Sequence, residues 1–195
     1  MLSRWIRSWD GPLLLPILRA FARLRITPNM LSVASLACMC AAGLWIANGR
    51  ALPAGLFLLA SGIIDTLDGE LARFTQRSTP FGAFVDSICD HCGDFLFSLG
   101  LVQLYEGSLL ETALIFAALF GSMLGSQIRS RAGMVGIDTK DVGVATRCER
   151  VLVWILGLAT GHLAAALWLQ AALTNFSALQ RLTHVVRRAR ISTAP

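Results

Sequence analysis

Charge is scarce in this chain. Asp, Glu, Lys and Arg make up 15% of its 195 residues, whereas 55% are hydrophobic and the mean hydropathy is +0.62. A soluble domain carries about 25% charged and 45–50% apolar residues, so an ordinary water-soluble globule is excluded. Cysteine is equally unhelpful as a scaffold. Most of Cys38, Cys40, Cys89, Cys92 and Cys148 fall in apolar runs, where a thiol packs as a small hydrophobe, and no disulfide framework is expected. The opening segment MLSRWIRSWDGPLLLPILRAF lacks a clean apolar core followed by a small-residue cleavage site, which argues against a signal peptide. Repeats and low-complexity linkers are missing too, and the length suits one compact helical bundle.

What the chain has instead is a series of apolar runs, each long enough to be weighed against the ~20 residues a membrane helix needs. Six spans are predicted, over residues 31–48, 51–73, 82–104, 109–131, 149–160 and 163–186. An even count puts both termini on one side. Every Lys and Arg but Arg50 then falls on that side, which the positive-inside rule makes cytoplasmic. The net charge of +5 is therefore read as orienting the protein and attracting anionic lipid headgroups, with no nucleic-acid partner. Residues 1–28 form a separate juxtamembrane segment. Trp5, Ile6 and Trp9 alternate with Arg4 and Arg7, as in an amphipathic helix lying in the interface. The fold expected is all-α: an integral membrane bundle of six transmembrane helices over residues 29–190, preceded by that interfacial helix.

Six carboxylates contradict this apolar setting. Asp65, Asp68, Glu70, Asp86, Asp90 and Asp94 lie within thirty residues of one another, in or beside the second and third spans. One carboxylate at the centre of a membrane helix costs about 2.5–3.5 kcal/mol on insertion scales. Asp65 and Asp68 are three apart and Asp86 and Asp90 four apart, so each pair shares a helix face. Two such faces turned together form a cage of four carboxylates. Packed anions stay ionised only beside cations, and hard divalent ions with oxygen ligands, chiefly Mg²⁺ or Mn²⁺, are the natural occupants. Cys89-Asp90-His91-Cys92 has no second ligand pair and is not read as a zinc site.

The full segment reads Asp65-x2-Asp68-Gly69-x2-Ala72-Arg73-x8-Gly82-x3-Asp86-x3-Asp90. At each defining position it resembles the signature of the CDP-alcohol phosphatidyltransferase family, and its synthases of inositol phosphate lipids in particular. The resemblance implies two divalent ions held by Asp65, Asp68, Asp86 and Asp90, with Asp90 as the base that deprotonates the acceptor hydroxyl. It implies donor contacts from Gly69, Arg73 and Thr79. Asn29-Met30-Leu31-Ser32 resembles the element at the start of the family's first span, which implies donor contacts from Asn29 and Ser32; a plain helix cap after Pro28 explains the same residues. Ser126-Gln127-Ile128-Arg129-Ser130-Arg131-Ala132 and Arg147-Cys148-Glu149-Arg150 resemble two further family stretches. Arg129, Arg131, Arg147 and Arg150 are thus either ligands of an acceptor phosphate or positive-inside anchors. Gln127 and Gly133 depart from the family pattern and leave the acceptor open.

The function implied is phospholipid biosynthesis. A phosphatidyl-type group moves from CDP-diacylglycerol to inositol phosphate or glycerol 3-phosphate and CMP is released, by a homodimer whose active site faces the cytoplasm, in a bacterial inner membrane. An unphosphorylated acceptor such as serine is the alternative within the chemistry. Outside it stand a membrane cation transporter, which would not need Gly69, Ala72 and Arg73 at fixed offsets, and an intramembrane prenyltransferase, whose aspartate motifs are arranged differently.

Overall fold

The computed structural model describes residues 14–139, 142–144 and 147–192, which are helices joined by short connections. Helix α1 covers residues 14–23. It is followed by α2 (Pro28–Ala47), α3 (Ala51–Phe74), α4 (Pro80–Leu104), α5 (Leu109–Met134), α6 (Arg147–Thr160) and α7 (Leu163–Ser192). Each expected span coincides with one of α2 to α7. The last runs on past residue 186, because Arg187 and Arg188 sit favourably against the negative end of a helix dipole. Of the expected interfacial segment only residues 14–28 are described. Arg4, Trp5, Ile6, Arg7 and Trp9 lie outside the described residues.

Among the described residues three helices, α2, α3 and α5, are long and apolar enough to cross a membrane. Their outer faces carry large apolar side chains. α3 directs Leu52, Leu56, Leu59 and Ile63 outward and keeps Ala54, Leu58 and Ser61 buried, as suits a helix whose surroundings are lipid. Six spans are not reached on this measure. At 14 residues α6 is about 21 Å long, short of the ~30 Å hydrocarbon core. α4 is diluted by Asp86, Asp90 and Asp94.

The chain divides into two compact units, Met1–Leu104 and Tyr105–Pro195. In the first, α1 seats Leu18 on Leu31 of α2 and on Leu67 and Leu71 of α3. The neighbours of those residues, Ser32 and Asp68, are buried as well. A rotation of about 100° per residue thus separates an apolar contact from a polar one on both helices. α3 runs antiparallel to α2, tied to it by Ser32 to Asp68 and by Ser35 to Ser61, whose hydroxyls are 2.8 Å apart. α4 runs parallel to α2 and approaches it through glycine. A Cβ on Gly100 would stand 2.2 Å from the Gly43 carbonyl oxygen, and one on Gly43 would stand 2.7 Å from that of Leu96. In the second unit α5 and α7 are likewise parallel. Gly121 faces Thr174 and Asn175, and Asn175 donates to the Ala117 carbonyl at 2.9 Å. α6 returns antiparallel to α7 with Gly157 against Ala166.

Two glycines in helices make a paired test. Gly133 has nothing within 4 Å of a would-be Cβ, so Gly133→Ala should hold or raise stability by up to ~1 kcal/mol through helix propensity. Gly100→Ala should lower it by about 1–3 kcal/mol, since backbone cannot move aside as a side chain does. Thermal unfolding of the detergent-solubilised protein decides; equal midpoints for the two variants would show that the α2–α4 contact is looser than described.

Candidate active site

Two helices begin the same way at one place in the first unit. The Thr27 side chain caps α2 by accepting from the Met30 amide at 3.3 Å, with Pro28 as the first helical residue. Thr79 does the same for α4, accepting from the Gly82 amide at 3.0 Å ahead of Pro80. Proline suits this position because its missing N–H would have had no helical partner. The cap of α2 is therefore Thr27, and Asn29 is not needed for it. Asn29 Oδ1 instead lies 3.3 Å from where a Gly82 Cβ would be, so the two helix starts converge.

They open onto a cavity of about 150 Å³. Asn29, Ser32, Gly69, Arg73 and Thr79, the five residues expected to touch the donor, all line it. Arg77 and Ser78 line it too, and the sequence reading gave them no such role. They sit on the connection between α3 and α4, whose backbone is well satisfied. Arg77 N–H reaches the Ala72 carbonyl at 2.9 Å and Gln76 N–H that of Arg73 at 3.2 Å. This double bond pattern closes the helix end, with Gln76 in the left-handed region at φ 53°. Two helix N-termini, Arg73 and Arg77 favour an anion at this rim.

The floor has the opposite sign. Carboxylate oxygens of Asp65, Asp68 and Asp86 lie within 4.8 Å of one another. Asp68 is buried and Asp65 and Asp86 half-buried. Asp68 and Asp86 also line the cavity. Oxygen donors at such separations suit a hard divalent cation, and the set would hold Mg²⁺ or Mn²⁺. Asp90 is not among the three; it stands one turn further along α4, half-buried. Ser32 Oγ donates to Asp68 Oδ2 at 2.8 Å, so this hydroxyl orients a carboxylate of the cluster, a partnership 36 residues apart that spacing does not reveal. Glu70, the carboxylate two residues after Asp68, accepts from Arg73 Nε at 3.4 Å and also pairs with Nη2.

The second unit holds arginines. Arg150 donates to Ser122 Oγ, and Gln170, buried in α7, donates to the Arg150 carbonyl. Arg181 donates to the carbonyls of Val142 at 2.9 Å and Gly125 at 3.0 Å, and lies within electrostatic range of Arg129 and Arg150. Arg181 was not among the residues expected here. The signal available was a charge inside the apolar run of the last span, which reads equally well as a topology anchor. Arg129 and Arg131 are exposed, Arg131 in the last turn of α5. The side chain of Arg147 lies outside the described residues.

A bundle of apolar helices with a carboxylate cluster under a cationic rim defines a membrane enzyme acting on phosphate esters. The CDP-alcohol phosphatidyltransferase family model matches residues 25–178, and the chain belongs to that family. It is 33% identical to an archaetidylinositol phosphate synthase of Methanothermobacter thermautotrophicus, over 89% of this chain and 92% of the relative. It is 31% identical to a phosphatidylinositol phosphate synthase of Cutibacterium acnes, over 84% and 80%. Two solved structures of the Mycobacterium tuberculosis phosphatidylinositol phosphate synthase share its fold, each with TM-score 0.78 and 24% identity. One is in complex with manganese and citrate, covering 88% of both chains. The other has CDP-DAG bound, covering 90% of this chain and 94% of that one. The protein is thus a transferase, and the transporter and prenyltransferase alternatives fall away.

The Ser32–Asp68 bond gives a direct test. A hydrogen bond to a charged group contributes about 1.5–3 kcal/mol, so Ser32→Ala should weaken Mn²⁺ binding roughly tenfold or more. Ser35→Ala removes a hydroxyl paired with Ser61 and should leave it unchanged. Titration calorimetry with Mn²⁺ reads both; equal affinities in the two variants would detach Ser32 from the cluster's chemistry.

Proposed function

We propose that the chain transfers a phosphatidyl-type group from a CDP-linked lipid, CDP-diacylglycerol, to inositol phosphate and releases CMP. The observation that carries the reading is the cavity that joins the carboxylate cluster to all five expected donor residues. The names of the relatives favour an inositol phosphate acceptor over glycerol 3-phosphate or serine.

In this reading Asp65, Asp68, Asp86 and Asp90 hold two divalent ions, Mg²⁺ or Mn²⁺, which would neutralise charge building on the donor's diphosphate. Arg73 and Thr79 orient the diphosphate from the rim; the Thr79 hydroxyl accepts from Gly82 and keeps its own hydrogen to donate. Asn29, Ser32 and Gly69 complete the donor contacts. Asp90 takes the proton of the acceptor hydroxyl. The resulting alkoxide attacks the β-phosphorus, the bond from that phosphorus to the bridging oxygen breaks, and CMP leaves. Positioning and charge neutralisation supply most of the acceleration in such a step. Arg129, Arg131, Arg147 and Arg150, joined by Arg181, hold the acceptor's phosphate, because guanidinium forks match its oxygens in pairs. Residues 29–190 act as one catalytic domain of six spans, with α4, α6 and α7 completing the set. Both termini and the active site face the cytoplasm of a bacterial inner membrane, and the enzyme works as a homodimer.

The test is CMP release by the purified protein with CDP-diacylglycerol, Mn²⁺ or Mg²⁺, and a panel of acceptors. Inositol phosphate should be the best acceptor. Asp90→Asn should abolish turnover while donor binding persists, since the amide keeps the shape and loses the base. Arg181→Ala should raise the acceptor KM about tenfold with little change for the donor. A preference for free serine, or an unchanged acceptor KM across the arginine variants, would return these arginines to the role of topology anchors.

A further inference from the structure

We infer that Glu70 is a positioning residue of the donor site: it grips one edge of the Arg73 guanidinium and so aims the other edge into the cavity. The inference rests on the donor reading of that cavity. Glu70 follows the Asp68-Gly69 pair and lies outside the family signature. Its carboxylate engages Arg73 through both Nε and Nη2, the side-on edge of the fork. A guanidinium has a second, end-on edge made of Nη1 and the remaining hydrogen of Nη2, which matches two oxygens of one phosphate. Arg73 lines the cavity and Glu70 does not. Whatever Glu70 does for a ligand there, it does through Arg73.

The guanidinium is located from a second direction. It lies over Gly69, where a Cβ would be 3.6 Å from both Nη1 and Nη2 and 3.9 Å from Cζ. Gly69 thus gives it a surface to rest on, and Glu70 prevents it from swinging along that surface. Arg73 is 56% exposed, and an exposed pair three residues apart on a helix adds little to stability. The consequence of the pair is therefore geometric. An arginine of this length left ungripped samples many rotamers, and a ligand that needs one of them binds more weakly in proportion to the others. A carboxylate in the same place without that function would repel a diphosphate.

The experiment is a double-mutant cycle on the purified enzyme with CDP-diacylglycerol and Mn²⁺, reading donor KM, acceptor KM and kcat. Glu70→Ala should raise the donor KM on the order of five- to tenfold, with the acceptor KM unchanged. Glu70→Gln keeps one accepting oxygen and should fall between it and the parent, and it carries the test if the alanine variant does not fold. In an Arg73→Ala background the Glu70 substitution should add nothing. A donor KM that falls on removing Glu70, or an effect that persists in the Arg73→Ala background, would overturn the grip and leave the donor site standing. Arg73→Ala with an unchanged donor KM would overturn the donor assignment and the grip with it.

Discussion

A buried carboxylate on an apolar helix must find a hydrogen-bond donor, and in the first unit Asp68 finds Ser32. Leaving such a group unpartnered would cost several kcal/mol, so the bond selects one alignment of α3 against α2. Ser35 and Ser61 repeat the choice about one turn further along α2 and two turns back along α3. Once that alignment is set, the three-residue spacing brings Asp65 beside Asp68, and Asp86 is delivered by the connection from α3 to α4. The apolar contacts follow from it as well. Leu31 and Leu67 precede the bonded pair on their helices, and a rotation of one residue turns both toward α1.

Much of this was legible in the sequence. Apolar runs gave helix limits that the structure reproduces closely, because in lipid the backbone has no alternative to helix within a run. The spacing of Asp65 with Asp68 was read as one face, and the motif around them located the cavity. What escaped the reading has a common physical origin. Ser32 with Asp68, and Arg181 with the carbonyls of Gly125 and Val142, are meetings of residues far apart in the chain, and no local period encodes them. Asn29 was read as a possible cap, yet Thr27 and Pro28 perform that role and free the asparagine for the cavity. The count of spans is the least legible feature. A helix that carries carboxylates among its apolar residues, as α4 does with Asp86, Asp90 and Asp94, loses by that fact the hydropathy that marks a span.

The two units share a plan. Each has a first and third helix running parallel, brought close by glycines, with a return helix between them. In the first unit the buried and half-buried charges are carboxylates; in the second, Glu111 and Glu149 are half-buried alongside Arg150 and Arg181.

The glycine crossing of α2 and α4 has a mechanical side. It lies fifteen residues from Pro28, about 22 Å along a helix, and no side chain at the crossing can adjust its rotamer to absorb a displacement. The helices behave there as two rods held at a fulcrum. A tilt of about 5° at that fulcrum would swing a helix start by roughly 2 Å over this arm. Such a swing is enough to separate Asn29 from Gly82 and spoil the mouth of the cavity.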